Sequence, residues 1–158
     1  VLPKMRYSNE GRIVYISSVL GFVAMPYRGP YVASKFAIEG LVGTLRLELS
    51  DTNIKFSSIQ PGPIESKFRQ NAYLAFQQNV DISSSHYKNQ YKLMIKRLQS
   101  GKNAKFTLPP EAVLKSAIHA LESSNPKNYY RVTFPTKLFS LLGKIFPSKW
   151  MDNILNQS

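Results

Sequence analysis

Two short apolar runs and one long helical segment dominate the first part of the chain. The runs lie within Arg12–Ser17 and Ile54–Gln60, and the second of them stops at Pro61. Short continuous apolar runs are typical of strands that are buried on both faces of a parallel sheet. The segment Tyr31–Leu49 between them has room for about five helical turns. Because it is rich in small and apolar residues, we expect much of its surface to be buried. Strand, helix and strand in this order predict a βαβ unit with parallel strands.

The rest of the chain has a mainly helical pattern. The stretch from after Pro63 to about Gly101 is polar and helical in character, and Pro110 is suited to the first turn of a further helix. Tyr129–Thr133 is a candidate for a last short strand. The tail carries an apolar helix face along Phe139–Phe146, which Trp150 continues. We expect this face to be core or a subunit contact rather than a membrane anchor.

The composition indicates one globular domain. The chain has 158 residues, of which 43% are hydrophobic and 19% charged, and this excludes a disordered chain and a coiled coil. It has no cysteine and 2 histidines, so disulfides and thiolate sites are excluded and we expect no metal site. No apolar run approaches the roughly 20 residues that cross a bilayer, and no signal peptide opens the chain. We therefore expect a cytoplasmic protein, with membrane association as the alternative.

Positive charge is concentrated between Asp81 and Glu111. The chain has 21 Lys and Arg against 9 Asp and Glu, a net charge of +12. The interval itself contains no acid and these bases: Lys88, Lys92, Lys96, Arg97, Lys102 and Lys105. The first three are four residues apart and share a helix face, while Tyr91 and Ile95 fall on another, which predicts an amphipathic helix with a solvated basic side. An anionic ligand and a membrane surface are alternative partners. No nucleic-acid-binding motif accompanies the charge, so we expect no nucleic acid as a partner.

Three features of the βαβ unit point to chemistry at one edge of the sheet. Ser18 follows the first strand and Pro61 the second, so both lie at carboxyl ends of strands, where ligands bind in open α/β sheets. Tyr31 and Lys35 are four residues apart and share a helix face. An ammonium one turn away stabilises a phenolate, which suits acid–base work at a carbonyl or alcohol, and Ser18 can hold the carbonyl oxygen. None of these groups accepts a hydride, so a nicotinamide would have to supply that step. Each feature taken alone is common in proteins for structural reasons.

In their order and spacing, these residues resemble the short-chain dehydrogenase/reductase family. The stretch Gly11–Ser18 is similar to the family's strand that ends in the catalytic serine. Tyr31–Ala37 contains its Tyr-x-x-x-Lys motif, and the gap between the serine and the tyrosine is the usual one. Pro61–Ser66 is similar to the proline–glycine segment beside the nicotinamide, with serine in the last position where threonine is common.

The resemblance implies a role for each of these positions. Tyr31 is implied to be the catalytic acid and base, Lys35 to stabilise its phenolate and to bind the nicotinamide ribose, and Ser18 to orient the substrate oxygen. The cofactor is implied to be NADP or NAD, with NADP favoured. The residues implied to bind this cofactor are Tyr31, Lys35, Pro61, Gly62, Ile64 and Ser66.

The implied fold is α/β, the C-terminal part of a Rossmann-type doubly wound parallel sheet in one partial domain. It would comprise a catalytic βαβ unit at about 11–66, a substrate lid at about 66–108, and helices with a short strand at 109–158. Members that act on apolar carbonyls look most similar, namely bacterial NADP-linked aldehyde reductases and vertebrate retinol and steroid dehydrogenases. We expect a small apolar carbonyl or alcohol as substrate and a homo-oligomer, dimer or tetramer. Peripheral membrane contact through the basic lid or the C-terminal tail is a further candidate contact.

The glycine-rich turn that binds the dinucleotide phosphates in this family has no counterpart in the chain. The glycines stand at positions 11, 21, 29, 40, 43, 62, 101 and 143, and no three have the required spacing. The residue that distinguishes NAD from NADP is also missing, as is the family's active-site asparagine. Three interpretations stay open. The chain is an incomplete part of an oxidoreductase and inactive by itself, or it is a non-catalytic half-domain that acts in binding, or it is a basic module for anionic surfaces.

Overall fold

A parallel three-stranded sheet lies at the centre of the computed structural model, which describes residues 1–100 and 104–156. Strand β1 (Gly11–Ile16) pairs with β2 (Ile54–Gln60), which pairs with β3 (Tyr129–Arg131). The register sets Ile16 opposite Ile59. The predicted parallel βαβ unit is therefore confirmed, and so is the α/β fold class. The strand predicted at Tyr129–Thr133 is present but shorter, because Thr133 is already the N-cap of the next helix.

Helices account for most of the remaining described residues. They are α1 (Leu2–Ser8), α2 (Gly29–Glu48), α3 (Phe68–Asn79), α4 (Lys88–Gln99), α5 (Glu111–Glu122), α6 (Phe134–Ile145) and α7 (Ser148–Asn156), with a 3-10 turn at Val19–Gly21. The helix α2 starts two residues before Tyr31, since Pro30 is well suited to a first helical turn. The helical stretch predicted after Pro63 consists of two helices, and its last residue, Gly101, lies outside the described residues together with Lys102.

The core is built on the two faces of β2. On one face Ile54 and Phe56 pack with Val42 of α2, which is fully buried. On the other face the fully buried Ile59 packs with Ala120 of α5. Burying one such aliphatic or aromatic side chain is worth about 1.5–3 kcal/mol. The prediction of a strand buried on both faces is thus confirmed for β2, and this strand anchors the edge where the candidate site lies.

The predicted burial is wrong for β1 and for much of α2. Residues 11–15 are half-buried and Ile16 is 52% exposed, because β1 forms one edge of the described sheet. In α2 only Val42 is buried, while Ala33 and Ala37 are exposed. This helix packs mainly on β2 and on the 3-10 turn, and the side that carries Ala33 and Ala37 is exposed.

The apolar face of the tail is divided between core and surface. Phe139 packs against a cluster that contains Val23, Met151 and Leu155, as expected for a core position. A second stripe of the same helix is exposed and is not part of this core: Phe134, Leu138, Leu141 and Ile145. For this stripe a subunit contact stays a prediction. Trp150 is also exposed, with its ring stacked on Phe146. Among the described residues, no helix has the length and apolar character needed to cross a membrane.

The amphipathic helix predicted from the lysine spacing is confirmed as α4. Lys88, Lys92 and Lys96 are exposed, while Tyr91 and Ile95 are half-buried. The apolar side rests on α3, where the ring centroids of Phe76 and Tyr91 are 5.2 Å apart. The two helices therefore form one packed pair that follows the end of β2.

Candidate active site

Ser18 is fixed at the carboxyl end of β1. The next residue along, Val19, donates its N–H to the carbonyl oxygen of Pro61 at 2.7 Å, so the end of β1 is tied to the end of β2. The Ser18 side chain is buried, and its Oγ accepts a hydrogen bond from the N–H of Leu20 at 3.1 Å. That bond uses one lone pair of the Ser18 hydroxyl oxygen, so the O–H of Ser18 can still donate a hydrogen bond to a carbonyl oxygen.

Tyr31 and Lys35 lie together against the same edge of the sheet. The Nζ atom of Lys35 donates to the carbonyl oxygen of Ile16 at 3.0 Å and is 5.6 Å from the centroid of the Tyr31 ring. Ile16 is the last residue of β1, two positions before Ser18. The structure thus places the serine and the lysine at one strand end, with the half-buried tyrosine beside the lysine.

The loop after β2 is held from two sides. Its first residue, Pro61, accepts the bond from Val19 described above. Further along, Ile64 forms a parallel bridge with Leu108, and the Leu108 N–H donates to the Pro63 carbonyl oxygen at 3.1 Å. The Ser66 side chain is exposed, and its Oγ accepts from the N–H of Phe68 at 3.3 Å, where α3 begins. The backbone implied to bind a cofactor is therefore rigidly placed at the carboxyl edge.

Gly62 occupies a position where a side chain does not fit. A methyl group added there would overlap Thr133 Oγ1 and would lie 2.8 Å from Thr136 Oγ1. Both threonines are fully buried, and their hydroxyl oxygens are 2.9 Å apart. The loop consequently packs directly on the start of α6, which gives Gly62 a structural role in addition to the implied cofactor contact.

We expect Gly62→Ala to lower the free energy of unfolding by about 1–3 kcal/mol, the usual cost of overpacking. The measurement is urea denaturation followed by circular dichroism. Gly143→Ala is the matched control, because nothing lies within 4 Å of a methyl group there. Gly143 is in α6, where alanine is favoured over glycine by roughly 0.5–1 kcal/mol. An unchanged urea midpoint for Gly62→Ala would show that the loop is not packed as described.

Two further residues of the site were not identified from the sequence. The Phe68 ring packs on the Tyr31 ring with centroids 5.4 Å apart, a contact between α3 and α2 that no local pattern shows. Glu39 accepts a hydrogen bond on Oε1 from the Oγ of the fully buried Ser58 at 2.7 Å, which ties α2 to β2. Because Glu39 follows Lys35 by four residues, the same helix-face argument could have identified it.

Comparison with known proteins finds relatives over most of the chain. The family model described as short chain dehydrogenase matches residues 1–75. The uncharacterized oxidoreductase YbbO of Escherichia coli is 40% identical over 155 residues, which are 98% of this chain and 52% of that protein. The chain belongs to the short-chain dehydrogenase/reductase family. Human retinol dehydrogenase 8, 32% identical over 133 residues, aligns with 80% of this chain and 41% of its own length.

A solved short-chain dehydrogenase from Burkholderia cenocepacia, in complex with NADP, has the same fold. It superposes with a TM-score of 0.65 at 17% identity, over 98% of this chain and 52% of that chain. This short-chain dehydrogenase/reductase chain therefore spans about half the length of the relatives that it matches.

Proposed function

We propose that this chain supplies the proton-transferring part of an NAD(P)-dependent oxidoreductase, which interconverts an apolar alcohol and its aldehyde or ketone. The observation that carries the proposal is the placement of Lys35. Its ammonium bonds the end of β1 beside Ser18 and lies next to the Tyr31 ring. A donor hydroxyl, a phenol and a cation at the carboxyl edge of a parallel sheet form an acid–base site for a carbonyl oxygen.

The proposed proton transfer uses the two hydroxyl groups. In the reductive direction Tyr31 donates the proton of its hydroxyl group to the carbonyl oxygen, and in the oxidative direction it takes the proton from the alcohol. Ser18 donates a hydrogen bond to the same oxygen and orients it. Lys35 stabilises the phenolate that Tyr31 forms. A bound nicotinamide supplies or accepts the hydride.

The residues present fit the nicotinamide end of a dinucleotide. An ammonium has three donors, and the bond to the Ile16 carbonyl uses one, so Lys35 can also bind ribose hydroxyls. The exposed Ser66 hydroxyl and the rigid backbone from Pro61 to Ile64 offer polar groups at the same edge. Solved structures with the same fold contain NADP in some cases and NAD in others, so the proposed cofactor is a nicotinamide dinucleotide of either kind.

The surroundings of Tyr31 favour an apolar substrate. The Phe68 ring covers one side of the phenol, and the aromatic rings of Tyr27, Tyr87 and Tyr91 lie along the packed pair of α3 and α4. Aromatic faces of this kind bind apolar groups. The relation to a retinol dehydrogenase agrees with this, since retinol is an apolar alcohol.

The alternative is a non-catalytic half-domain that acts as an interaction module. The exposed edge of β1 supports it, since an unpaired strand edge can pair with another chain. The exposed side of α2, with Phe36 and Leu41, supports in turn the homo-oligomer that the resemblance implies.

The test compares the 158-residue chain with the longer oxidoreductase of which it is proposed to be a part, called the full-length protein below. We expect the full-length protein to oxidise NADPH in the presence of decanal, and the 158-residue chain to show no activity and to bind NADPH at least about 100-fold more weakly. Pyrophosphate is normally bound by backbone N–H groups at a helix N-terminus after a glycine-rich turn, which this chain lacks. Several charge-assisted hydrogen bonds of roughly 1.5–3 kcal/mol each would then be missing.

NADPH fluorescence gives the binding constants, and nicotinamide absorbance gives the rates. Micromolar binding of NADPH by a monodisperse 158-residue chain would contradict the expected weakness. A full-length protein that oxidises NADPH with none of a series of apolar aldehydes and ketones would favour the half-domain alternative.

A further inference from the structure

Three side chains of α2 form one row along the helix. Tyr31, Lys35 and Glu39 follow one another at intervals of four residues, so they lie one above the other on the same helix face. Side chains in a helix lean toward its N-terminus, and Lys35 therefore covers the turn of Tyr31, as Glu39 covers the turn of Lys35. The distance of 5.6 Å from Lys35 Nζ to the centroid of the Tyr31 ring agrees with this. The proposed function gives tasks to the first two members of the row and none to Glu39.

The carboxylate of Glu39 is fixed by strand β2. Its Oε1 atom accepts a hydrogen bond of 2.7 Å from the Oγ of Ser58, which is fully buried. Its Oε2 atom is also buried and has no hydrogen-bond partner in the described part of the chain. Burying a carboxylate with one oxygen unpaired costs stability in comparison with a neutral side chain. Stabilisation of the fold is therefore a poor explanation for a carboxylate at this position.

The 3-10 turn that follows Ser18 packs on the same part of α2. Ser18 is the N-cap of this turn, and Gly21 is its last residue. A methyl group added at Gly21 would lie 2.9 Å from the Cγ of Glu39 and 3.2 Å from the carbonyl oxygen of Lys35. Glycine is what allows the backbone of the turn to approach the helix so closely. The Glu39 side chain thus contacts both β2 and the turn that begins at Ser18.

The direction of the Lys35 side chain depends on its neighbours. Its Nζ donates to the carbonyl oxygen of Ile16 at 3.0 Å, and this bond uses one of the ammonium donors. A lysine stem is flexible, so a single hydrogen bond leaves the ammonium room to move. An opposite charge one helical turn away attracts the ammonium and restricts its movement. Glu39 carries such a charge, and the bond from Ser58 keeps it in place.

We infer that Glu39 is a positioning residue of the acid–base site. Its carboxylate, held by Ser58, keeps the Lys35 ammonium between the end of β1 and the Tyr31 ring. Glu39 acts through Lys35 and needs no contact of its own with substrate or cofactor. The inference rests on the proposed function for the tasks of Lys35 and Tyr31.

The first test is Glu39→Gln in the full-length protein. Glutamine has nearly the same size, and its side-chain oxygen can still accept the bond from Ser58, so the main loss is the charge. We expect kcat/KM for NADPH, measured with decanal, to decrease at least about 5-fold. The urea midpoint should be unchanged or higher, because a neutral group is less costly to bury. Glu48→Gln is the matched control, since Glu48 is exposed near the end of the same helix and its loss should not change kcat/KM.

A double-mutant cycle with Lys35→Met distinguishes positioning from a purely structural role. If Glu39 acts through Lys35, Glu39→Gln should have almost no further effect once Lys35 is replaced, whereas independent structural losses would multiply. The cycle is measured on kcat/KM and on the Kd for NADPH, and the second quantity needs no turnover. If Glu39→Gln does not fold, as judged by circular dichroism, Ser58→Ala takes its place, because it removes the hydroxyl group that holds Glu39.

Two results with an active full-length protein would overturn the inference. They are a wild-type kcat/KM in Glu39→Gln and losses that multiply in the cycle. Failure of the proposed function is a different result, namely a full-length protein that turns over no carbonyl compound. The cycle on the Kd for NADPH then decides, and equal Kd values in all four proteins of the cycle would overturn the inference as well.

Discussion

Tyr31→Phe is expected to lower kcat of the full-length protein by about 10²–10⁴-fold, the usual contribution of a positioned general acid and base. The phenylalanine ring keeps the contact with Phe68 and the position beside Lys35, so only the proton-carrying oxygen is lost. The Kd for NADPH should therefore remain close to that of the wild type. Steady-state rates with decanal and a fluorescence titration with NADPH measure the two quantities.

Tyr27→Phe is the matched control for this substitution. Tyr27 lies four residues earlier, is 45% exposed, and packs through its ring on Tyr87 and Tyr91. Loss of its hydroxyl group should leave kcat nearly unchanged. If Tyr31→Phe kept more than about a tenth of the wild-type kcat, the role assigned to Tyr31 would be wrong.

Lys35→Met should lower kcat/KM for NADPH by at least about 100-fold, since one lost charge-assisted hydrogen bond alone costs roughly 10–150-fold. The ammonium has two proposed tasks, because it stabilises the Tyr31 phenolate and binds the ribose. Both kcat and the affinity for NADPH should decrease, which separates this variant from Tyr31→Phe. The methionine retains most of the apolar stem, so packing beside the Tyr31 ring is largely preserved.

Lys55→Met is the control for the loss of a lysine, since Lys55 is exposed on β2. Its kinetic constants should match those of the wild type. A Lys35→Met protein with unchanged NADPH affinity would refute the ribose contact, and one with unchanged kcat would refute the support of the phenolate.

The βαβ unit could be predicted from the sequence because its signals are local. The second strand, Ile54–Gln60, was placed at its observed bounds from an apolar run that ends at a proline. The helix that carries Tyr31 was also found, and its face follows from the four-residue spacing to Lys35. The placement of Ser18 and Pro61 at the same edge follows from the rule that ligands bind beyond the carboxyl ends of parallel strands, and the bond from Val19 to Pro61 agrees with it.

Burial could not be predicted in the same way. The apolar run of β1 has the character of a buried strand, yet Ile16 is 52% exposed because β1 is at the edge of the described sheet. Ala37 in α2 is exposed for a similar reason, because the burial of a helix residue depends on which elements pack against it and not on the sequence pattern of the helix.

Contacts between segments far apart in the sequence illustrate a second limit of local patterns. The basic side of α4 was evident from the sequence, but the packing of α4 on α3 and on Tyr27 was not. Likewise, no pattern along the chain indicates that Gly62 packs on Thr133, seventy-one positions later. Contacts of this kind follow from the tertiary structure alone.

The most direct measurement of the central claim follows the hydride and the proton in one experiment. The full-length protein and its Tyr31→Phe variant are incubated with decanal and NADPH that carries deuterium at the hydride position, and the decanol formed is analysed by mass spectrometry. The account predicts that the wild type forms decanol with one deuterium on the former carbonyl carbon. It also predicts that the variant forms this product at an initial rate about 10²–10⁴-fold lower. Unlabelled decanol, or equal initial rates from the two proteins, would contradict it.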